Sequence, residues 1–160
     1  MAVELDDLDR GILQQLLREA RTPVSQIADQ IGLSRPAVAE RIEKLERAGI
    51  IRGTTVVVDP KILGREVTAF VAARGPTFTS TQWKQFRQLM RTDEEILEVH
   101  TVAGDDCFFI KVRTDSIASL NTLVSKLTAA PLALTTRTTI VMQTHCEKVG
   151  GITLGEENER

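Results

Sequence analysis

The positions of apolar residues predict a first helix near the start of the chain. In residues 5–20, Leu8 and Ile12 repeat at the spacing of one helical face, and Asp6 or Asp7 can cap the first turn. The apolar side of this helix is expected to face the core of a small helical domain, because a lone amphipathic helix cannot bury its own stripe.

Two more amphipathic helices are predicted between Thr22 and Ile51. Gly32 ends the first of them, since glycine adopts the left-handed stop conformation without strain. Ser34 caps the next helix at once, and Gly49 ends it. Two helices joined by a turn of about three residues form a helix-turn-helix, whose second helix enters the DNA major groove with its N-terminal residues leading.

The exposed start of that second helix holds the candidates for reading DNA. Arg35 is suited to guanine, since its guanidinium can donate to O6 and N7 together, and Pro36 or Ala37 can pack on a thymine methyl group. Arg41 has two interpretations, a phosphate contact or an ion pair within its own domain. Basic residues later in the segment suit phosphate. The predicted DNA-binding residues are Ser34, Arg35, Pro36, Ala37, Glu40, Arg41, Lys44, Arg47 and Arg52.

The β-branched run that follows, IIRGTTVVVDP, predicts a strand. Arg52 and Gly53 are expected to close a small hairpin in it, the wing of a winged helix-turn-helix. The strand is expected to end at Pro60, since proline cannot continue a β-ladder. We therefore expect a DNA-binding domain at residues 1–59 and a linker at residues 60–65.

The second half alternates between strand-like and helix-like segments. Their order, β-α-β-β-α-β, is the split, ferredoxin-like arrangement, so the chain as a whole is α+β. Helices on one face of an antiparallel sheet leave the other face bare, and a second copy of the sheet is the simplest cover, so we expect a homodimer. This domain is predicted at residues 66–148, before a flexible tail at 149–160. Strands are predicted at 66–74, 96–102, 107–112 and 134–145, and helices from Thr79 or Ser80 and after an Asp115 cap.

Composition and charge change this picture little. The chain has 160 residues, 42% hydrophobic and 26% charged, as in globular proteins, and its formal net charge of −2 does not indicate DNA binding. Acidic residues alternate with basic ones on the predicted reading helix, a pattern also typical of a solvated helix with internal ion pairs. No apolar run reaches the roughly 18 residues of a membrane span, and the acidic N-terminus is unlike a signal peptide, so we expect a cytoplasmic protein without membrane contact.

Metal binding and catalysis find little support in the sequence. Two cysteines and two histidines, Cys107, Cys146, His100 and His145, lack the CxxC or HxxxH spacing of a zinc site. Structural thiols are the simpler interpretation, since redox sensing needs an exposed thiolate of low pKa. No nucleophile or phosphate-binding glycine motif is present, so we expect no enzyme, no metal and no cofactor.

Four motifs occur in order: LDDLDRGILQQLLREAR, IGLSRPAVAERIEKLERAGIIRG, HTVAGDD and TRTTIVM. Together they resemble the Lrp/AsnC family, also called leucine-responsive or feast/famine regulators, over nearly the whole chain. The resemblance implies a transcription factor with an N-terminal winged helix-turn-helix and a C-terminal effector-sensing domain. It also implies dimers that assemble into a tetramer or octamer, with an amino acid or other small metabolite bound between C-terminal domains.

The family's effector turn commonly has Gly, Asp, any residue, Asp and an aromatic residue in that order. Gly104, Asp105 and Phe108 match, Asp106 takes the variable position, and Cys107 stands where the second acid is expected. A neutral thiol cannot pair with an amino group as a carboxylate does, so an amino acid, another metabolite and no effector all stay open. The effector-binding residues that the resemblance implies are Thr101, Val102, Ala103, Gly104, Asp105, Asp106, Cys107, Phe108, Thr139 and Ile140.

Three functions therefore compete. The helix-turn-helix favours a sequence-specific regulator modulated by a small molecule. A low-specificity architectural protein that wraps long DNA is the alternative, and a specificity ratio near one at physiological salt would favour it. An enzyme built on the ferredoxin-like half would instead show turnover and no affinity for duplex DNA.

Overall fold

The computed structural model describes residues 4–147 and separates into two compact units between Val57 and Val58. The predicted flexible tail, 149–160, lies outside the described residues, as does residue 148. None of the described helices is long and apolar enough to cross a membrane.

Within the described residues, the first unit has three helices around one apolar core. Ile12, Ile27, Val38 and Leu45 are fully buried there, which confirms that the predicted stripes face one another. Burying each such side chain stabilises the fold by about 1.5–3 kcal/mol relative to its exposure. The helices are α1 (Asp7–Arg18), α2 (Val24–Ile31) and α3 (Arg35–Arg47).

The predicted wing strand does not form. Residues 52–59 contain no strand, and Val56 and Val57 are 67% and 74% exposed. A β-branched run forms a strand only where another strand pairs with its backbone, and strand pairing in residues 4–147 is confined to the second unit. The hairpin expected at Arg52 and Gly53 is therefore wrong for this structure, and Arg52 lies on an exposed segment without regular secondary structure.

The second unit is a four-stranded antiparallel sheet with two helices. The strands are β1 (Val67–Arg74), β2 (Ile96–Thr101), β3 (Phe108–Thr114) and β4 (Thr135–Ile140). Their order in the sheet is β2-β3-β1-β4, which confirms the ferredoxin-like arrangement and the α+β class. Val71, in the central strand, lies opposite Ile110 on one side and Thr138 on the other. The two helices are α4 (Ser80–Thr92), between β1 and β2, and α5 (Ile117–Thr128), between β3 and β4.

Of the element ends that differ from the prediction, two have clear local reasons. Ser116, and not Asp115, caps α5, because its side chain accepts from the N–H of Ser119 at 3.1 Å. The last strand ends at Ile140 and not at residue 145, since its pairing with β1 ends there.

The two faces of the sheet differ in burial. The face that α4 and α5 cover is buried. Val71 and Ile110 of the sheet and Leu123 of α5 are fully buried there. On the other face, which we call the open face, Phe70 and Phe109 are 41% and 39% exposed. This alternation follows from strand geometry, because successive side chains point to opposite sides.

Candidate DNA-binding and effector sites

The start of α3 is shaped by its capping residues. Gly32, at φ +72°, ends α2, and the N–H of Ala37 donates to Ser34 Oγ at 3.4 Å to cap α3. Pro36 fits the first turn, where its missing N–H has no partner to lose. Arg35 and Pro36 are exposed, so the first turn of α3 is free to meet a partner.

Further along α3, most predicted DNA-binding residues are also accessible. Glu40, Lys44 and Arg47 are exposed. Arg47 Nε lies 3.7 Å from Glu43 Oε1, with both side chains about two-thirds exposed, and such a surface pair contributes little. Arg47 can therefore exchange this carboxylate for a phosphate.

Arg41 is the exception in this set. Its Nη1 donates to Asp6 Oδ2 and to Asp9 Oδ1, both at 2.7 Å, and Asp9 is 1% exposed. The structure thus supports the ion-pair interpretation of Arg41, because its guanidinium ties the middle of α3 to the start of α1.

The same cluster shifts pKa values. The N–H of Asp9 donates to Asp6 Oδ1 at 2.7 Å. This hydrogen bond is the larger cause that holds the pKa of Asp6 below its ordinary 3.8, and the hydrogen bond from the Arg41 guanidinium is the second. A lowered carboxyl pKa means that the stabilisation by Asp6 is present above pH 3.8 and is lost as the pH falls through the folded value. The two carboxylates raise the pKa of Arg41.

A cavity of about 480 Å³ opens in the second unit beside the turn after β2. Gly104 gives this turn its shape, with φ +138°. Half of the implied effector residues, 102–106, line the cavity. The full lining is Arg74, Val102, Ala103, Gly104, Asp105, Asp106, Phe109, Thr135, Thr136 and Arg137.

The cavity carries two positive and two negative side chains. Arg137 Nη2 donates to Asp106 Oδ2 at 3.1 Å, so these two neutralise each other. Arg74 and Asp105 are exposed and make no ion pair or hydrogen bond through their side chains within residues 4–147. The cavity therefore offers one cation and one anion to a ligand, an arrangement that suits a zwitterion.

Two implied effector residues, Cys107 and Phe108, lie away from the cavity. Phe108 is 5% exposed in the helix-side core, with its ring centroid 4.6 Å from that of Phe86. Cys107 packs against the same core, and its Sγ lies 4.0 Å from the carbonyl oxygen of Gly75. A carboxylate at position 107 would thus border the apolar core, and the cysteine there removes no charge from the cavity.

The strand register explains which cavity residues were missed. Ala72 lies opposite Phe109 on one side and Arg137 on the other, so the three share the open face. The alternation of side chains along β3 alone could have placed Phe109 on the face opposite to Phe108. The strand register is also needed to show that residues of β1 and β4 line the cavity. The missed lining residues are Arg74, Phe109, Thr135, Thr136 and Arg137, while Thr101, Thr139 and Ile140 were implied and do not line it.

An ionic network crosses the open face. Lys111 Nζ contacts Glu147 and, at 3.2 Å, Glu98, while Arg113 Nη2 lies 3.1 Å from Glu147. Lys111 is the main cause that holds the pKa values of Glu98 and Glu147 below 4.5, and Glu147 raises the pKa of Lys111 above 10.5. The network therefore stabilises the fold fully between pH 4.5 and pH 10.5. The stabilisation is lost in acid as the two glutamates are protonated, and in base as Lys111 is deprotonated.

The cysteine and histidine side chains do not form a metal site in the described residues. No three His, Cys, Asp or Glu side chains within residues 4–147 are arranged to hold a metal ion. His100 Nε2 instead lies 3.4 Å from Glu98 Oε2, and Cys146 is exposed beyond the end of β4.

Comparison with known families matches both halves of the chain. A family model described as winged helix-turn-helix DNA-binding matches residues 5–52, and one described as the Lrp/AsnC ligand binding domain matches residues 68–150. The HTH-type transcriptional regulator FL11 of Pyrococcus abyssi is 32% identical over 147 residues, which is 92% of this chain and 95% of that protein.

Two further relatives extend the match to bacteria. The regulatory protein AsnC of Escherichia coli K12 is 35% identical, over 87% of this chain and 91% of its own. A feast or famine regulatory protein of Mycobacterium tuberculosis, solved in complex with L-methionine, superposes with a TM-score of 0.81 at 29% identity, over 94% of this chain and 100% of that one. This chain therefore belongs to the Lrp/AsnC family of transcriptional regulators, which act by binding DNA and ligands and are not enzymes.

Proposed function

We propose that the domain at residues 1–59 reads a specific DNA sequence through the first turn of α3. The observation that carries this proposal is the exposed, capped start of α3 on a fully packed three-helix core. Such a helix end is rigid, and it can enter the major groove without any rearrangement of the domain. The domain at residues 66–148, joined by the linker at 60–65, senses the effector, and the protein works in the cytoplasm.

Three exposed residues in the first half of α3 each have a base contact that suits their chemistry. Arg35 donates to guanine, Pro36 packs on a thymine methyl group, and Glu40 accepts from cytosine. Cations farther along set position and affinity without reading sequence. These phosphate contacts are assigned to Lys44, Arg47 and Arg52.

Arg35→Ala is expected to lower discrimination between the operator and an operator with the contacted guanine replaced. The loss is about 1–3 kcal/mol, because the bidentate contact disappears. Competition binding at fixed salt measures it. Lys44→Ala is the matched control, since it should weaken binding to both sequences equally and lower the salt slope by about 0.9. An unchanged specificity ratio in Arg35→Ala would remove Arg35 from this role.

We further propose that an amino acid is the effector and that it binds in the cavity beside the turn after β2. Arg74 would hold the carboxylate and Asp105 the ammonium group, while Phe109 meets the side chain. The complex of the mycobacterial relative with L-methionine supports this class of ligand. Binding alters DNA recognition only if the ligand prefers one assembly or domain arrangement over another.

Calorimetric titration of the twenty amino acids tests this assignment. Arg74→Met and Asp105→Asn should each weaken the binding of the preferred amino acid about tenfold or more, since a hydrogen bond to a charged group contributes about 1.5–3 kcal/mol. Glu66→Gln, which removes an exposed carboxylate outside the cavity, should leave it unchanged. Equal affinities in all variants would place the ligand elsewhere.

The open face supports a homodimer as the basic unit. Phe70 is 41% exposed there, and a second copy of the sheet would cover it. Further association to a tetramer or octamer would place effector cavities between dimers. Sedimentation of Phe70→Glu should show a shift toward monomer, whereas Ile117→Glu, 55% exposed on α5, should sediment as wild type. Identical sedimentation of both variants would exclude the open face.

A further inference from the structure

All charged residues of helix α4 are basic. It contains Lys84, Arg87 and Arg91 and no acidic residue, although the chain as a whole has net charge −2. All three basic side chains are exposed. The long helices of the first unit differ, since α1 and α3 carry acids and bases together, and α5 carries a single charged residue, Lys126.

These three residues form a stripe along α4. At about 100° and 1.5 Å per residue, the positions i, i+3 and i+7 fall on one side and span about 10 Å of the helix axis. Phe86 lies on the opposite side, in the core. Over the same length of the duplex axis, one DNA strand carries about three phosphates, since the axial rise is about 3.4 Å per phosphate.

None of the three cations is paired with a carboxylate within residues 4–147. Several other cations of this unit are paired, such as Lys126 with Asp93 at 2.7 Å. Arg87 is also held in place, because its Nε donates to the Trp83 carbonyl oxygen at 3.3 Å and its Cζ lies 5.9 Å from the centre of the Trp83 ring. A side chain that is already ordered loses less entropy when it binds.

We propose that Lys84, Arg87 and Arg91 form a second contact surface for the phosphate backbone of duplex DNA. The surface engages DNA that continues beyond the site read by α3, so the proposal rests on DNA reading by α3. The stripe lies on the helix side of the sheet, and it therefore stays exposed when the open face is covered in a dimer. Unpaired cations suit phosphate, because binding releases condensed counterions.

The test compares two duplexes with the same operator, one ending at the footprint boundary and one extended by several helical turns on each side. Full-length wild type should bind the long duplex more tightly and with a steeper salt dependence. In K84Q/R87Q/R91Q, affinity for the long duplex should fall at least tenfold. The slope of log K against log salt should fall by about 0.9 for each phosphate that the variant no longer neutralises. Binding to the short duplex should not change.

Two controls keep the result specific. K84Q/R91Q retains the Arg87–Trp83 contact and should show an intermediate loss, so a folding defect at Arg87 cannot mimic the effect. Lys61→Gln, which removes an exposed cation of the same unit outside α4, should bind both duplexes as wild type. Unchanged long-duplex binding in the triple variant, or an equal loss on both duplexes, would overturn the proposal. Loss of discrimination in Arg35→Ala is measured separately and reports on α3 alone.

Discussion

Arg41→Met is expected to lower the free energy of unfolding of the DNA-binding domain by about 3–5 kcal/mol. The substitution leaves Asp9, which is 1% exposed, without the guanidinium that contacts it at 2.7 Å. Removing the partner of a buried carboxylate costs more than losing a surface pair, because the desolvated charge of Asp9 remains. Urea denaturation of the full-length chain, followed by circular dichroism, measures the loss.

A matched substitution and a double mutant separate this effect from general loss of an arginine. Arg10→Met makes the same chemical change at an exposed position of α1 and should cost less than about 0.5 kcal/mol. Asp9→Asn combined with Arg41→Met should recover part of the loss, since the buried charge is gone. Equal stability of Arg41→Met and Arg10→Met would contradict the ion-pair assignment.

Phe108→Ala is expected to destabilise the second domain by about 3–5 kcal/mol, the range for a buried aromatic residue. Its ring lies 4.6 Å from Phe86 and 5.9 Å from both Phe78 and Trp83, centre to centre. Removing it leaves a void among three aromatic rings, and packed neighbours collapse only partly into such a void. Thermal unfolding of the domain in the full-length chain measures the cost.

The neighbouring residue provides the control. Phe109→Ala removes an aromatic ring that is 39% exposed at the effector cavity, so it should cost markedly less stability than Phe108→Ala. It should instead weaken the binding of the amino acid effector. If Phe109→Ala proved the more destabilising of the two, the assignment of the two rings to opposite faces would be wrong.

Local signals in the sequence predicted the elements well. Gly32, Ser34 and Thr79 mark helix ends through contacts within a few residues, and the structure confirms each of them. The order of strands and helices followed from periodicity in the same way, and the strand topology then followed from the known split arrangement.

Contacts between distant residues could not be predicted in this way. Arg41 is 32 residues from Asp9, so charge alternation along α3 could not decide between phosphate and an internal acid. The cavity joins β1, the turn after β2 and β4, whose register is not written in any one segment. The wing failed for a related reason, because β propensity says nothing about whether a partner strand is present.

Nuclease footprinting upstream of the protein's own gene tests sequence-specific, effector-modulated binding most directly. Purified full-length protein is titrated at fixed salt, with and without a pool of the twenty amino acids. We predict a bounded footprint centred on a palindrome, as a dimer with two reading helices requires, and a change in its extent with the pool. Diffuse protection of the whole fragment, or a footprint that the pool leaves unchanged, would contradict this function.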